Sequence, residues 1–242
     1  MDSGFYAACA GLISRTQALD LAANNLANTS TTGYRGQHEV FRQLFAGIVP
    51  NGSLNRAVNA YGVIGSAATD FTQGSLQRTD SPLDFAIEGN AFFAVQTADG
   101  VRYTRAGDFH LRADRTLVTS ADDPVLGDQG PIRVPEGKLT VSDDGILSIG
   151  GAIAGRLRTV QFDAGAELTP AGNSYYTAPQ AAARNATGST VRQGMIEQSN
   201  VSPISAAVGL ITTQRHAESL QRALSLFHNE FNRIAAQELP RV

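Results

Sequence analysis

Residues 84–111 read DFAIEGNAFFAVQTADGVRYTRAGDFHL. Apolar and polar side chains alternate along this stretch, the two-residue period of a half-buried strand. Ala98-Asp99-Gly100 interrupts the alternation where a tight hairpin would turn. Residues 130–151, GPIRVPEGKLTVSDDGILSIGG, repeat the style, with Asp144-Gly145 as a second hairpin signal. Strands at this spacing, separated by Gly and Asp turns across residues 62–198, predict an antiparallel sandwich or irregular barrel rather than a doubly wound sheet.

Outside this block the period changes. Phe5, Cys9, Leu12, Thr16, Leu19, Ala23 and Leu26 are spaced alternately by four and three, a heptad seam with small or polar layers. Ala206, Leu210, Thr213, Ala217, Leu220, Leu224, Phe227, Phe231 and Ile234 form a second such seam. The predicted fold class is therefore α+β. Long N- and C-terminal helices pack as a coiled-coil-like domain, and the centre is an all-β domain of short antiparallel strands. The domains expected are an N-terminal helical segment at 1–45, a Gly/Pro/Asn connector at 46–61, the β domain at 62–198 and a C-terminal helical segment at 199–242. A C-terminal helix of about 35 residues is roughly 50 Å long. It overhangs a β domain whose radius of gyration is near 14 Å. Its seam requires partners, either the N-terminal helix of the same chain or helices of neighbouring subunits. A self-contained helical hairpin docked on the β domain is the plainer alternative.

The first helix closes on AANNLANTSTTGYRG, residues 22–36. Asparagines are poor helix formers, yet Asn24, Asn25 and Asn28 sit together there. Their amides offer donors and acceptors without formal charge, which suits close packing in a fixed orientation. Thr and Ser hydroxyls then compete for backbone groups, and Gly33 is expected to take the left-handed conformation that ends a helix.

Composition narrows the function classes. The 242 residues carry a formal charge of -3, and no basic cluster stands out, which argues against nucleic acid as a partner. No run reaches the roughly 20 apolar residues of a membrane span, so no membrane insertion is expected. Cys9, the single cysteine, reads as a small apolar layer residue. No cleaved signal peptide is read at the N-terminus. His38, His110, His216 and His228 have no metal-ligand spacing, and no phosphate loop, dinucleotide fingerprint or nucleophile elbow occurs. The carboxylate pairs Asp122-Asp123 and Asp143-Asp144 lie in turn-like contexts, where Asp serves the backbone. No catalytic residue, metal or cofactor is assigned.

Three motifs carry a resemblance. NNLANTSTTGYRG, GSLQRTDSPLDFAIEGNAFFAVQTADGVRYTRAGDFHLRADRTLVT (residues 74–119) and EQSNVSPISAAVGLITTQRHAESLQRALSLF (residues 197–227) resemble, in this order, the signatures of the bacterial flagellar rod and hook protein family. Residues 127–148 are similar to the proximal rod branch, with the distal rod and hook branches as alternatives. Two positions depart from the family pattern. Ala91 stands where a Gly is usual, and the turn Asp114-Arg115-Thr116 lacks the usual Gly.

The resemblance implies a non-enzymatic structural subunit of the basal-body rod, the flagellar drive shaft. Its terminal helices would join a helical tube that transmits torque and helps form the export channel. The implied partners are other rod subunits, self and paralogues, and the flagellar export apparatus, which passes subunits unfolded without a cleaved signal. The assembly residues expected are Phe5, Leu12, Leu19, Asn24, Asn25, Leu26, Asn28, Leu210, Leu220, Leu224, Phe227, Phe231 and Ile234. A less favoured reading is a periplasmic oligomeric module that binds cell wall through Tyr103, Phe109, Tyr175 and Tyr176.

Overall fold

The computed structural model describes residues 2–42, 63–163, 166, 168–179 and 182–238, with side chains left undescribed at 2–10, 41–42, 63–66, 227–228, 230–232 and 234–238. The predicted connector, 46–61, lies outside the described residues. The chain forms two compact units. The first holds Met1–Ala27, Gln37–Asp70 and Ser202–Val242; the second holds Asn28–Gly36 and Phe71–Val201.

The second unit is built of short strands. Its largest sheet has six, all antiparallel, in the order Thr169–Pro170, Tyr175–Thr177, Gly100–Thr104, Phe92–Thr97, Thr159–Phe162 and Ala183–Asn185. Phe92–Thr97 lies near the middle, and both its faces are covered. Phe93 and Val95 enter a cluster with Phe85, Ile87, Phe109, Leu117 and Leu147, while Phe92 and Ala94 enter a second with Tyr103, Val160 and Tyr176. A strand buried on both sides needs apolar residues at consecutive positions. That is why Phe92-Phe93-Ala94-Val95 breaks the alternation read from its flanks.

Both hairpins form as expected. Thr97 pairs with Gly100, leaving Ala98 and Asp99 as a two-residue loop. Val141 faces Leu147 across the turn that holds Asp144 and Gly145. Leu139–Val141, Ile146–Ile149 and Ala152–Arg156 complete a three-stranded sheet. Ala91 is fully buried; the site tolerates its methyl group as part of the core.

The first unit contains helix α1, Asp2–Ala27, helix α2, Pro203–Glu238, and a two-stranded ribbon of Gln37–Arg42 with Val63–Thr69. Here the expected fold class is corrected. The described residues hold two helices and a mostly β central stretch of sequence, and over 11–27 and 203–226, where side chains are described, the helices do not form a coiled coil. A coiled coil needs large apolar knobs in its layers. Among the described side chains those buried in these helices are small: Ser14, Ala18 and the predicted seam residue Ala217. On α1 the predicted seam positions Thr16 and Ala23 are exposed, on the far side of the helix from Ser14 and Ala18 at 3.6 residues per turn. A methyl group at Gly11 would lie 3.9 Å from Leu220 Cδ1. Small residues let the two backbones approach closely, and Leu220, a predicted seam position, lies beside Gly11 at this contact.

Candidate functional site

The expected assembly residues are spread over more than one role. Leu12, Leu19, Leu26, Leu210, Leu220 and Leu224 are half-buried. Asn24 is exposed. Asn25 acts as a backbone substitute: its amide donates to Gln37 O at 2.7 Å and its carbonyl accepts from Gln37 N at 2.9 Å. The start of the ribbon is thereby pinned to α1, both within the first unit. Asn28 Oδ1 accepts from Thr31 Oγ1 at 3.1 Å, inside the turn that ends the helix. The side chains of Phe5, Phe227, Phe231 and Ile234 lie outside the described residues.

A stripe that the heptad count missed is more exposed than the half-buried leucines. Ile204, Val208 and Ile211 are 79, 58 and 52 % exposed. Their spacing, four then three, places them in one line on α2, half a turn from buried Ala217. The repeat was legible in ISAAVGLI, but a count that follows one seam passes over a second one.

Tyr103, Phe109, Tyr175 and Tyr176 are all buried, so they offer no concave aromatic surface to a cell-wall strand. Tyr103 and Tyr176 belong to the second cluster, and Tyr175 Oη lies 2.6 Å from Thr119 Oγ1. In the carboxylate pairs Asp122 forms an ion pair with Arg112 at 2.8 Å and Asp143 with Arg192 at 3.3 Å. Among the described residues no group of three or more His, Cys, Asp or Glu side chains is placed to hold a metal ion, and no helix is long and apolar enough to cross a membrane.

The densest polar arrangement lies inside the second unit. Arg35, Arg105 and Glu197 are 1, 2 and 0 % exposed. Arg35 Nη2 stands 2.6 Å from Glu197 Oε1 as a close ionic contact outside hydrogen-bond angles, and Arg105 Nη1 donates to Glu197 Oε2 at 3.2 Å. Arg35 Nη1 also donates to Thr72 O, and Arg105 donates to Ile87 O and Gly89 O. The Arg105 guanidinium carbon lies 4.9 Å from the Phe92 ring centroid, a cation–π contact. The Nε atoms of both arginines have no acceptor among the described residues. Burial pulls Arg105 down to about 10, Glu197 opposing and Arg35 reinforcing the shift. Two guanidiniums face one carboxylate, and a buried charge set of this kind is costly to break.

Three family models match the chain in the order of its motifs. The flagella basal body rod protein model matches residues 5–35, the flagellar hook protein FlgE/F/G D1 domain 86–149, and the flagellar basal body rod FlgEFG protein C-terminal model 192–226. The flagellar basal-body rod protein FlgF of Caulobacter vibrioides is 34% identical over the whole of both chains. FlgF of Salmonella typhimurium is 31% identical over 93% of this chain and 94% of its own, and FlgG of Buchnera aphidicola 30% identical over 89% and 92%.

The chain belongs to the flagellar basal-body rod protein family. It is a structural rod subunit located in the basal-body rod, and its resemblance within the family is to the proximal rod branch. The three matched regions of this rod protein each contribute one member of the buried charge set: Arg35, Arg105 and Glu197.

Proposed function

We propose that this rod subunit assembles through α1 and α2 with further copies of itself and with paralogous rod subunits. The assembly is a helical tube that passes torque along the drive shaft and helps form the export channel, with the flagellar export apparatus delivering the chain. It works by packing and carries out no catalysis.

The observation that supports this reading is the line of Ile204, Val208 and Ile211 on α2. Ala217 is buried on the opposite side of the same helix, so α2 has one face used within the first unit and another apolar face left in water. Three large aliphatic side chains on one face mark an interaction surface. Burying each stabilises an interface by about 1.5–3 kcal/mol. Dense apolar packing between subunits also resists deformation, which a torque-bearing shaft requires.

Replacing Val208 and Ile211 together with Asp tests the proposal. Both are exposed, so the double variant is expected to keep the folded spectrum of the purified chain and to be missing from isolated basal bodies. Wild-type levels of the variant in basal bodies would reject assembly through this face.

A further inference from the structure

The chain passes between the two units four times: after Ala27, after Gly36, after Asp70 and after Val201. On the second unit's side these passages run through three stretches, 28–36, 71–74 and 197–201. All three meet at the buried charge set. Gly33 N donates to Glu197 O at 2.7 Å, Gly74 N donates to Glu197 Oε1 at 2.9 Å, and Arg35 reaches Thr72 O. Asn200 adds a parallel bridge. Its Oδ1 accepts from Gly36 N at 2.7 Å, its Nδ2 donates to Thr72 O at 3.1 Å, and its own backbone N donates to Tyr34 O at 3.3 Å. Glu197 is thus bonded to the first stretch through Arg35 and Gly33, to the second through Gly74, and to the body of the β unit through Arg105.

The backbone is shaped to allow this. A Cβ on Gly33, whose φ is +65°, would lie 2.3 Å from Ala106 N, and one on Gly74 would lie 2.0 Å from Gln198 O. Those distances leave no room for any side chain, so the stretches touch backbone to backbone. Arg105 then ties the cluster to the 87–89 segment, where Gln73 also donates to Ile87 O at 2.7 Å and accepts from Gly89 N at 3.2 Å.

We propose that Arg35, Glu197 and Arg105, supported by Asn200, form a clasp that holds every covalent connection to the first unit in one fixed bundle, and that in the rod this clasp carries load between the β unit and the helical unit. The clasp itself stands on the contacts above; its mechanical role rests on the rod reading. Two charged forks and a carboxylate suit the task. Charge-assisted contacts from planar guanidiniums fix orientation as well as distance, and an uncompensated buried charge resists being pulled open. Packing alone would permit sliding, because apolar contacts have no preferred direction.

Amide hydrogen exchange on the purified full-length chain tests the clasp. Arg35→Lys keeps the charge and loses the fork; Glu197→Gln keeps the shape and loses the charge. Asn200→Ala removes the parallel bridge without touching a buried charge. Each is expected to speed exchange at Gly33, Gly36, Gly74 and residue 200 by about tenfold or more, the scale of one lost charge-assisted hydrogen bond. Exchange at Phe93, Val95 and Leu117 is expected to stay at the wild-type rate. Faster exchange spread evenly over those core amides would make the set an ordinary core ion pair, and no change anywhere would make it idle; both outcomes overturn the clasp. In cells, Asn200→Ala rods are expected to form in normal number while swimming slows in a thickened medium. Unimpaired swimming there, with the junction amides loosened, would overturn the mechanical role alone. Absence of the wild-type chain from basal bodies would fell the rod reading and leave the exchange result standing.

Discussion

Arg115 holds a left-handed backbone, with φ at +66°, in the turn where the family pattern has glycine. A side chain there costs about 1–2 kcal/mol. The structure offsets that cost locally: Arg115 Nε donates to Val134 O at 3.0 Å and Nη2 to Pro135 O at 2.9 Å. Asp114 completes the turn by accepting from Thr116 N at 3.1 Å and Thr116 Oγ1 at 2.9 Å. Those two bonds hold the Asp114 carboxyl below its usual range, the backbone one contributing most. Around this turn His110 pairs with Val118 and Leu111 with Leu117. Arg115→Gly is expected to change the urea midpoint little, because relieved strain balances the lost bonds. Arg115→Ala keeps the strain and loses the bonds, and should destabilise by about 1–2 kcal/mol in the same titration. A missing glycine is legible in a sequence. Which distant carbonyls will compensate for it is not, since Val134 comes 19 residues later.

At the scale of elements, the β hairpins were readable and the helix contact was not. Turn chemistry is local, so Asp99-Gly100 and Asp144-Gly145 announce themselves wherever they occur. A helix face is chosen by its partner. Along α1, Leu12, Leu19 and Leu26 draw the eye to one side, while Gly11, Ser14 and Ala18 permit a closer approach on the other. Large side chains in a spaced pattern advertise burial, but small ones decide how near two backbones can come. Ala217→Leu tests this ordering. With Ala217 5 % exposed, three added carbons have no free volume, and the variant should lose about 1–3 kcal/mol of thermal stability. Leu12→Ala, at a half-buried position, should cost less than a core truncation of the same kind. If Ala217→Leu were neutral and Leu12→Ala severe, large side chains rather than small ones would set the helix contact.

For the molecule as a whole, stability at high pH is set by groups buried in the β unit. Burial raises Tyr175 to about 12, its hydrogen bond with Thr119 pulling the other way, and burial likewise raises Tyr176 to about 12. An unfolded tyrosine ionises near 10, so between pH 10 and pH 12 the folded state keeps protons that the unfolded state has lost. Stability from both tyrosines is therefore complete below pH 10 and disappears through that window. Arg105, lowered to about 10, acts in the opposite sense over the same interval, and two groups outweigh one. The denaturation midpoint should fall from pH 10 to pH 12, and the Tyr175→Phe, Tyr176→Phe double variant should lose the fall. None of this was visible in the sequence, where the less favoured cell-wall reading set Tyr175 and Tyr176 on a binding surface. Nor did any spacing rule join Arg35, Arg105 and Glu197, though each lies within a motif that carries the family resemblance. Charges flanked by glycine and apolar residues inside such motifs were the available sign; their convergence required the fold.

The pairing of Gly36 with Asn200 joins positions 164 apart along the chain. Closing so long a loop has an entropic cost that local contacts do not meet beforehand, and distant pairings of this sort slow folding. A polypeptide emerging residue by residue during synthesis must leave this seam open until residue 200 is present. The β unit therefore completes itself late in synthesis, and a subunit truncated before residue 197 would be left with one lip of an unfastened seam.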